Sequence, residues 1–333
     1  MSGKKAGGSR RSAKMIPLLI VIEIAKRLGF GKSIVGLAMK RLRSASNKEK
    51  AFAGYTPTEH DVFVTTFGKS GTNWMMQISQ QISYRGAAEF DHIHALAAWP
   101  DSPGVGPIPL SDTSPIDMSP TGLRIIKTHN ETEFVPYNEK ATYLTILRDP
   151  KEVLVSSYYF LGGALGLLSH ITIDDWYELA IAPGSLMEAW AVHAASFWAW
   201  RDRSNVLVLN FGDVKNEPRK SIEQVVAKMG VELTGAQLAE VIRRASFEYM
   251  SAHESQFAPP QALFGDKSKP TLMVRRGASG KSDELLSQTQ QAEVDRLCQA
   301  ELKKIGSDFP YSTEFKVVEA SSPSRDRRPS SGP

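Results

Sequence analysis

Val62-Phe63-Val64-Thr65-Thr66-Phe67-Gly68-Lys69-Ser70-Gly71-Thr72-Asn73-Trp74 is the stretch on which the reading of this chain turns. An alternating strand runs into a loop of small residues around one lysine, and a helix opens near Thr72. Gly68 and Gly71 let the backbone approach an anion with no Cβ in the way. The helix start aims unpaired N–H groups and its positive dipole end at the same spot. Lys69 adds a full charge, and Ser70 and Thr72 add hydroxyl donors, so the loop reads as a phosphate cradle. The triphosphate loop pattern G-x-x-x-x-G-K-[ST] needs a glycine five positions before Gly68, where Phe63 stands. A phosphorylated ligand other than an ordinary triphosphate is therefore expected.

Three further segments have the same look. Ala141-Thr142-Tyr143-Leu144-Thr145-Ile146-Leu147-Arg148-Asp149-Pro150 is an apolar strand running into a helix whose first turn takes Pro150, where no N–H is required. That helix continues through Lys151-Glu152-Val153-Leu154-Val155-Ser156-Ser157-Tyr158-Tyr159-Phe160. Gly122-Leu123-Arg124-Ile125-Ile126-Lys127-Thr128-His129 is a short apolar strand ending in polar groups. Near the C-terminus, Met273-Val274-Arg275-Arg276-Gly277-Ala278-Ser279-Gly280-Lys281-Ser282 carries a basic pair.

Together these segments resemble the cytosolic-type sulfotransferases, which transfer a sulfuryl group from 3′-phosphoadenosine 5′-phosphosulfate (PAPS) to a hydroxyl or amine. Lys69 to Trp74 resembles the family's P-K-S-G-T-T-W loop, and Arg148 to Tyr158 its R-[ND]-P-[KR]-D-x-x-V-S-x-Y block. Lys127-Thr128-His129 resembles its K-T-H segment, and Arg275-Arg276-Gly277 its R-K-G-x-x-G-x-W-K segment. The resemblance implies that Lys69, Ser70, Gly71, Thr72, Asn73 and Trp74 contact the donor, and that Arg148, Ser156, Arg275, Arg276 and Gly277 serve the 3′-phosphate. An arginine suits that task because its planar fork can engage two phosphate oxygens at once.

The resemblance also makes His129 the base that deprotonates the acceptor, a task for which a neutral imidazole has a suitable pKa. Lys69 and Lys127 would then oppose charge developing on the leaving phosphate and the sulfuryl oxygens. The family's serine at the position of Ser156 also restrains the loop lysine. The other histidines, His94 among them, read as structural or surface residues. Val206 to Lys215 and Ala245 to Met250 resemble segments that hold the adenine, which puts Phe211, Ser246 and Phe247 in the purine pocket. Phe211, Gly212, Ala245 and Ser282 depart from the family pattern by losing polar or aromatic groups. No metal is implied.

Bulk composition bounds the answer without naming it. The 333 residues are 41% hydrophobic and 23% charged, with formal net charge +4 and a single cysteine, Cys298. That excludes an internal disulfide and a cysteine zinc site, and the basic residues gather at the ends of the chain, which gives no nucleic-acid footprint. The expected fold is α/β: a single domain with a central parallel sheet flanked by helices, P-loop-like, of the sulfotransferase/nucleotide-kinase type. Residues 1–14 read as a disordered basic tail, 15–50 as an N-terminal helical segment, 51–315 as the sulfotransferase domain and 316–333 as a second disordered tail.

Within the segment Met15 to Arg43, the apolar run Ile16 to Ala25 is too short to span a bilayer and is interrupted by Pro17 and Glu23, with Lys26 and Arg27 following. The segment reads as helix that packs on the domain or lies on a membrane surface, in a cytoplasmic protein. Its oligomeric state is open. The acceptor should be a small, hydrophobic alcohol, phenol or lipid, met by Phe90 to Met118, Tyr158 to Trp176 and Phe257 to Lys269. Two other classes fit the loop alone: a P-loop kinase, and a non-catalytic nucleotide-binding protein on the same fold.

Overall fold

The apolar runs around Phe63, Ile125, Leu144 and Leu207 form strands, and all of them lie parallel. The computed structural model describes residues 29–30, 32–33, 36–37, 44–102, 108–165, 171–258 and 282–319, with only the helical backbone of 161–165. The strands are β1 (Asp61–Val64), β2 (Ala97–Ala98), β3 (Arg124–Lys127), β4 (Thr142–Leu147) and β5 (Val206–Asn210). They are ordered β2-β3-β1-β4-β5, the single-domain parallel architecture that the sequence leads one to expect. Every residue of β1 and β3 is buried, as a sheet covered on both faces requires.

The described helices are α1 (Ala45–Ala51), α2 (Thr72–Ser83), α3 (Ser114–Met118), α4 (Pro150–Leu165), α5 (Ile173–Ile181) and α6 (Leu186–Trp198). They continue with α7 (Phe211–Asn216), α8 (Pro218–Lys228), α9 (Gly235–Arg244), α10 (Phe247–Ala252), α11 (Gln288–Ile305) and α12 (Tyr311–Glu314). One core unites α4, α5, α6 and α11 around Val153, Trp190 and Val294. Another joins α2, α8 and α9 to the sheet through Met75, Ile222 and Val241. Among the described residues no helix is long and apolar enough to cross a membrane.

Charged residues inside the strands are paired. Asp61 and Arg124, opposite each other in the β1–β3 register, form an ion pair at 2.7 Å whose free edges go to Tyr55, Leu110 and Asp112. A comparable buried cluster, in which Asp295 takes Lys151, the Tyr311 hydroxyl and the Val318 N–H, ties α11 to α4 and to the chain beyond α12. Both are structural: such charges are tolerable only with partners. Of the N-terminal segment, the described Lys32 meets Glu178 and Asp175 on α5. Most of residues 15–43 and the block at Arg275, Arg276 and Gly277 lie outside the described residues.

His193, on α6, is wholly buried against Phe67 and Phe197. Neither ring nitrogen makes a hydrogen bond of ordinary geometry, although the Thr65 backbone is close enough to oppose part of the resulting shift. Burial pushes its pKa from 6.5 down to about 3. The unfolded chain therefore takes up a proton that the fold refuses. The stability tied to this ring is complete above the unfolded value and is lost as pH falls toward the folded one. Between pH 7 and pH 5 the native chain should lose about 2 kcal/mol more than His193→Leu, as read from urea melts at the two pH values. Identical losses would mean that His193 is protonated inside the fold.

Candidate active site

The carboxyl ends of β1, β3 and β4 deliver the predicted residues to one place, because these three strands are neighbours at the centre of the sheet. After β1 the ladder continues through Thr65, whose N–H donates to the Leu144 carbonyl at 2.8 Å, before the chain turns into the cradle. Lys69 sits at φ 68° and Gly71 at φ 98°, both left-handed. For glycine this costs nothing. For lysine it is strain of the kind that persists only where neighbours hold it. The holder is Arg148, whose Nη1 donates to the Lys69 carbonyl at 3.0 Å.

The cradle fits an anion by two independent features. Ser70 Oγ is buried without a hydrogen-bond partner among the described residues, an expensive state unless a ligand oxygen meets it. A Cβ at Gly71 would stand 3.2 Å from the Phe211 ring, so the backbone there is pressed against a wall that only glycine allows. Thr72 shares a hydrogen bond with Thr66. Asn73 commits its Nδ2 to the Phe257 carbonyl at 3.0 Å, pinning a neighbouring segment, which leaves its first-turn backbone N–H for the expected donor contact. Trp74 donates from Nε1 to the Ala245 carbonyl at 2.8 Å and meets Phe211 edge to face, with 5.6 Å between centroids.

His129 follows β3 directly. Its Nδ1 lies 2.7 Å from the Thr66 carbonyl oxygen, which can only accept, so Nδ1 carries the proton and Nε2 keeps a lone pair. Burial, and next the charge of Lys127, push its pKa down to about 3, so the ring is neutral at physiological pH. Lys127 is 4% exposed. Its Nζ lies 3.4 Å from the Trp99 ring centroid and 3.1 Å from His94 Nε2. Burial lowers its pKa to about 7, with Asp101 pulling upward and Lys69 downward.

Sequence reasoning gave Asp101 no role here and placed His94 and Trp99 only in the stretch assigned to the acceptor. His94, read as structural or surface, is largely buried: burial first, and then Lys127, hold its pKa at about 2, and its ring stacks on Trp99 at 4.9 Å. Asp101 accepts the His129 backbone N–H at 2.8 Å. Trp99 stands edge-on to His129 at 5.9 Å. The signal available in the sequence was only that His94, Trp99 and Asp101 lie in the stretch singled out for the acceptor.

Arg148 opens the turn after β4. Its Nε pairs with Glu152 at 3.0 Å and its guanidinium lies over the Phe211 ring at 4.3 Å. With Nε on Glu152 and one Nη1 N–H on the Lys69 carbonyl, the second Nη1 N–H and the Nη2 amino group remain as donors, enough for the two-oxygen grip expected from the sequence. Ser156 is half-buried, two turns into α4. Phe160, one turn further on the same face, carries Lys69 Nζ 4.1 Å from its ring centroid, which puts Ser156 on the Lys69 side of the helix. Ser246 caps α10 by accepting the Tyr249 N–H. Phe247 beside it is 40% exposed, open to a ligand face. Of the other departures from the family pattern, Gly212 donates its N–H to Asn210 Oδ1, and Ser282 is buried against Gln291.

Residues 59–306 match the family model of the sulfotransferase domain. Sulfotransferase 1C2 of Oryctolagus cuniculus is 25% identical over 260 residues, covering 75% of this chain and 85% of the relative. Sulfotransferase 2A1 of Homo sapiens is 25% identical over 262 residues, covering 76% and 88%. Among solved structures, mouse sulfotransferase SULT7A1 complexed with PAP matches with a TM-score of 0.57 at 22% identity, over 79% of this chain and 91% of that one. Retinol dehydratase in complex with androsterone and the inactive cofactor PAP matches with a TM-score of 0.62 at 17% identity, over 80% and 87%. These two structures share the fold.

Proposed function

The chain belongs to the sulfotransferase domain family, and from that premise we propose that it transfers a sulfuryl group from PAPS to the hydroxyl of a small, hydrophobic acceptor, with His129 as general base. The observation that carries the reading is the hydrogen bond from His129 Nδ1 to the Thr66 carbonyl. It fixes the tautomer that leaves Nε2 able to take a proton, at a strand end shared with two lysines.

The reaction asks three things of these residues. Nε2 accepts the acceptor's proton as its oxygen attacks sulfur. Lys127 and Lys69 oppose the charge that develops on the sulfuryl oxygens and on the departing phosphate. The Ser70 hydroxyl and the backbone donors at the start of α2 hold the 5′-phosphate side, while Arg148, with Ser156, serves the 3′-phosphate. Trp99, stacked on His94 and edge-on to His129, gives the acceptor side an aromatic wall that suits a hydrophobic phenol, alcohol or lipid. A related protein bound to androsterone, the retinol dehydratase above, has the same fold and accommodates a hydrophobic small molecule.

Transfer of label from PAPS to a panel of phenols, aliphatic alcohols, sterols and glycolipids tests the proposal. Turnover of at least one hydrophobic hydroxyl is expected. Tight binding of adenosine 3′,5′-bisphosphate with no turnover across the panel would instead favour a non-catalytic binding protein.

The donor side has its own test, calorimetry with two nucleotides. Arg148→Ala should weaken adenosine 3′,5′-bisphosphate about tenfold or more, the worth of a charge-assisted contact of about 1.5–3 kcal/mol. It should also weaken adenosine 5′-phosphate, by a smaller factor, because the Lys69 carbonyl loses its brace. Equal losses would make Arg148 a loop brace alone.

A further inference from the structure

Two polar atoms beside His129 have no hydrogen-bond partner among the described residues although they are buried: Asp101 Oδ1 and Trp99 Nε1. Asp101 lies just beyond β2, the edge strand that pairs with β3. Its Oδ2 accepts the His129 N–H at 2.8 Å, and the Thr128 hydroxyl also turns toward the carboxylate. In the same interior stands Lys127, whose ammonium meets an aromatic ring and an imidazole nitrogen rather than a carboxylate. Burial pushes the Asp101 carboxyl up and the Lys127 ammonium down, each toward its neutral form, and the charge of each opposes the shift of the other.

The ionisable groups around Lys127 come from four segments: Asp101 after β2, Lys69 after β1, His94 from the single turn before β2, and His129 after β3. His94 and His129 are neutral in this setting, and Lys69 opposes a second cation.

We propose that Asp101 is a positioning residue of the transfer site, fixing the His129 backbone through one carboxylate oxygen and, through its charge, keeping Lys127 in the cationic form that sulfuryl transfer needs. The inference rests on the transfer reading for its purpose, though the coupling of the two side chains can be measured without turnover. The arrangement has a plain chemical logic. A lysine paired directly with a carboxylate would spend its charge on that partner. One held cationic from a distance, with rings against it, keeps its charge for an incoming anion.

The test uses the full chain with 13Cε-labelled lysine, titrated by NMR, the Lys127 signal being the one missing from Lys127→Arg. In the native chain it should titrate near 7. Asp101→Asn keeps an acceptor for the His129 N–H, so its melting temperature should stay close to native while the Lys127 titration falls by about one pH unit. Asp101→Glu, which keeps the charge, should restore most of that shift. Asp101→Ala should lower both the titration and the melting temperature.

Coupling is reciprocal, so Lys127→Met should raise the Asp101 titration, read from its 13Cγ signal, even if Asp101→Asn does not fold. With PAPS and 2-naphthol, the alkaline limb of kcat should move down in Asp101→Asn by the same amount, with KM for PAPS changing less than twofold. A Lys127 titration unmoved by Asp101→Asn, or an Asp101 titration unmoved by Lys127→Met, overturns the proposal. Shifted titrations in a chain that turns over no acceptor would support the coupling while removing the transfer reading.

Discussion

Replacing His129 by alanine should lower kcat by about 10²–10⁴-fold with an aliphatic alcohol as acceptor, the range for loss of a positioned general base. Affinity for adenosine 3′,5′-bisphosphate should be nearly unchanged. The melting temperature should drop by only a few degrees, because the Thr66 carbonyl loses its donor and an unpaired buried carbonyl costs about 1–3 kcal/mol. The diagnostic is the acceptor series. A nitrophenol acidic enough to ionise in water needs no base, so the loss should shrink as acceptor pKa falls. A loss of the same size across the series, or near-native turnover of an aliphatic alcohol, would move the base elsewhere. His94 is then the first alternative, since its ring is neutral and stands beside Lys127.

Lys127→Ala should behave differently although the two residues are neighbours. Its ammonium stabilises charge that develops on the sulfuryl oxygens whatever the nucleophile, so kcat should fall by about 10²–10³-fold with nitrophenols and alcohols alike. The pH profile separates the roles further. Lys127 loses its proton as pH rises through about 7 in the free protein, and a bound anionic donor, by favouring the charged form, moves the corresponding limb of kcat upward. The alkaline limb of kcat over KM should therefore reflect Lys127 and vanish in Lys127→Arg, whose guanidinium does not titrate in this range. A loss that tracked acceptor acidity would assign Lys127 to proton transfer instead.

Much of this site was legible before any coordinates, and for a local reason. A strand that must be apolar, followed by a turn that must expose N–H groups, followed by a helix that must start, leaves a short and recognisable run of residue types. Gly68 to Thr72 and Arg148 to Ser156 are each such a run, and Lys127 to His129 is the polar end of a short apolar strand. The left-handed backbone at Gly71 and the proline at the first position of α4 follow from the same local rules.

What the sequence could not disclose depends on pairs far apart in the chain. The Lys69 carbonyl is braced by Arg148, the amide of Asn73 goes to Phe257, and the His129 backbone is held by Asp101. The first and third of these partners meet because β2 lies against β3, β3 against β1, and β1 against β4, and Phe257 reaches Asn73 by packing in the core beside α2, arrangements that no single segment carries.

By itself, then, the sequence determined which segments resemble anion-binding loops, which histidine stands just past a lysine-bearing strand end, and that the fold is α/β. Tertiary structure decided the protonation states. Only packing buries His129 and Lys127, brings the charges of Lys69 and Asp101 to bear on them, and turns the imidazole so that the Thr66 carbonyl fixes its tautomer. Pattern records residue type and spacing, whereas proton affinity depends on desolvation and on charges supplied by other parts of the chain.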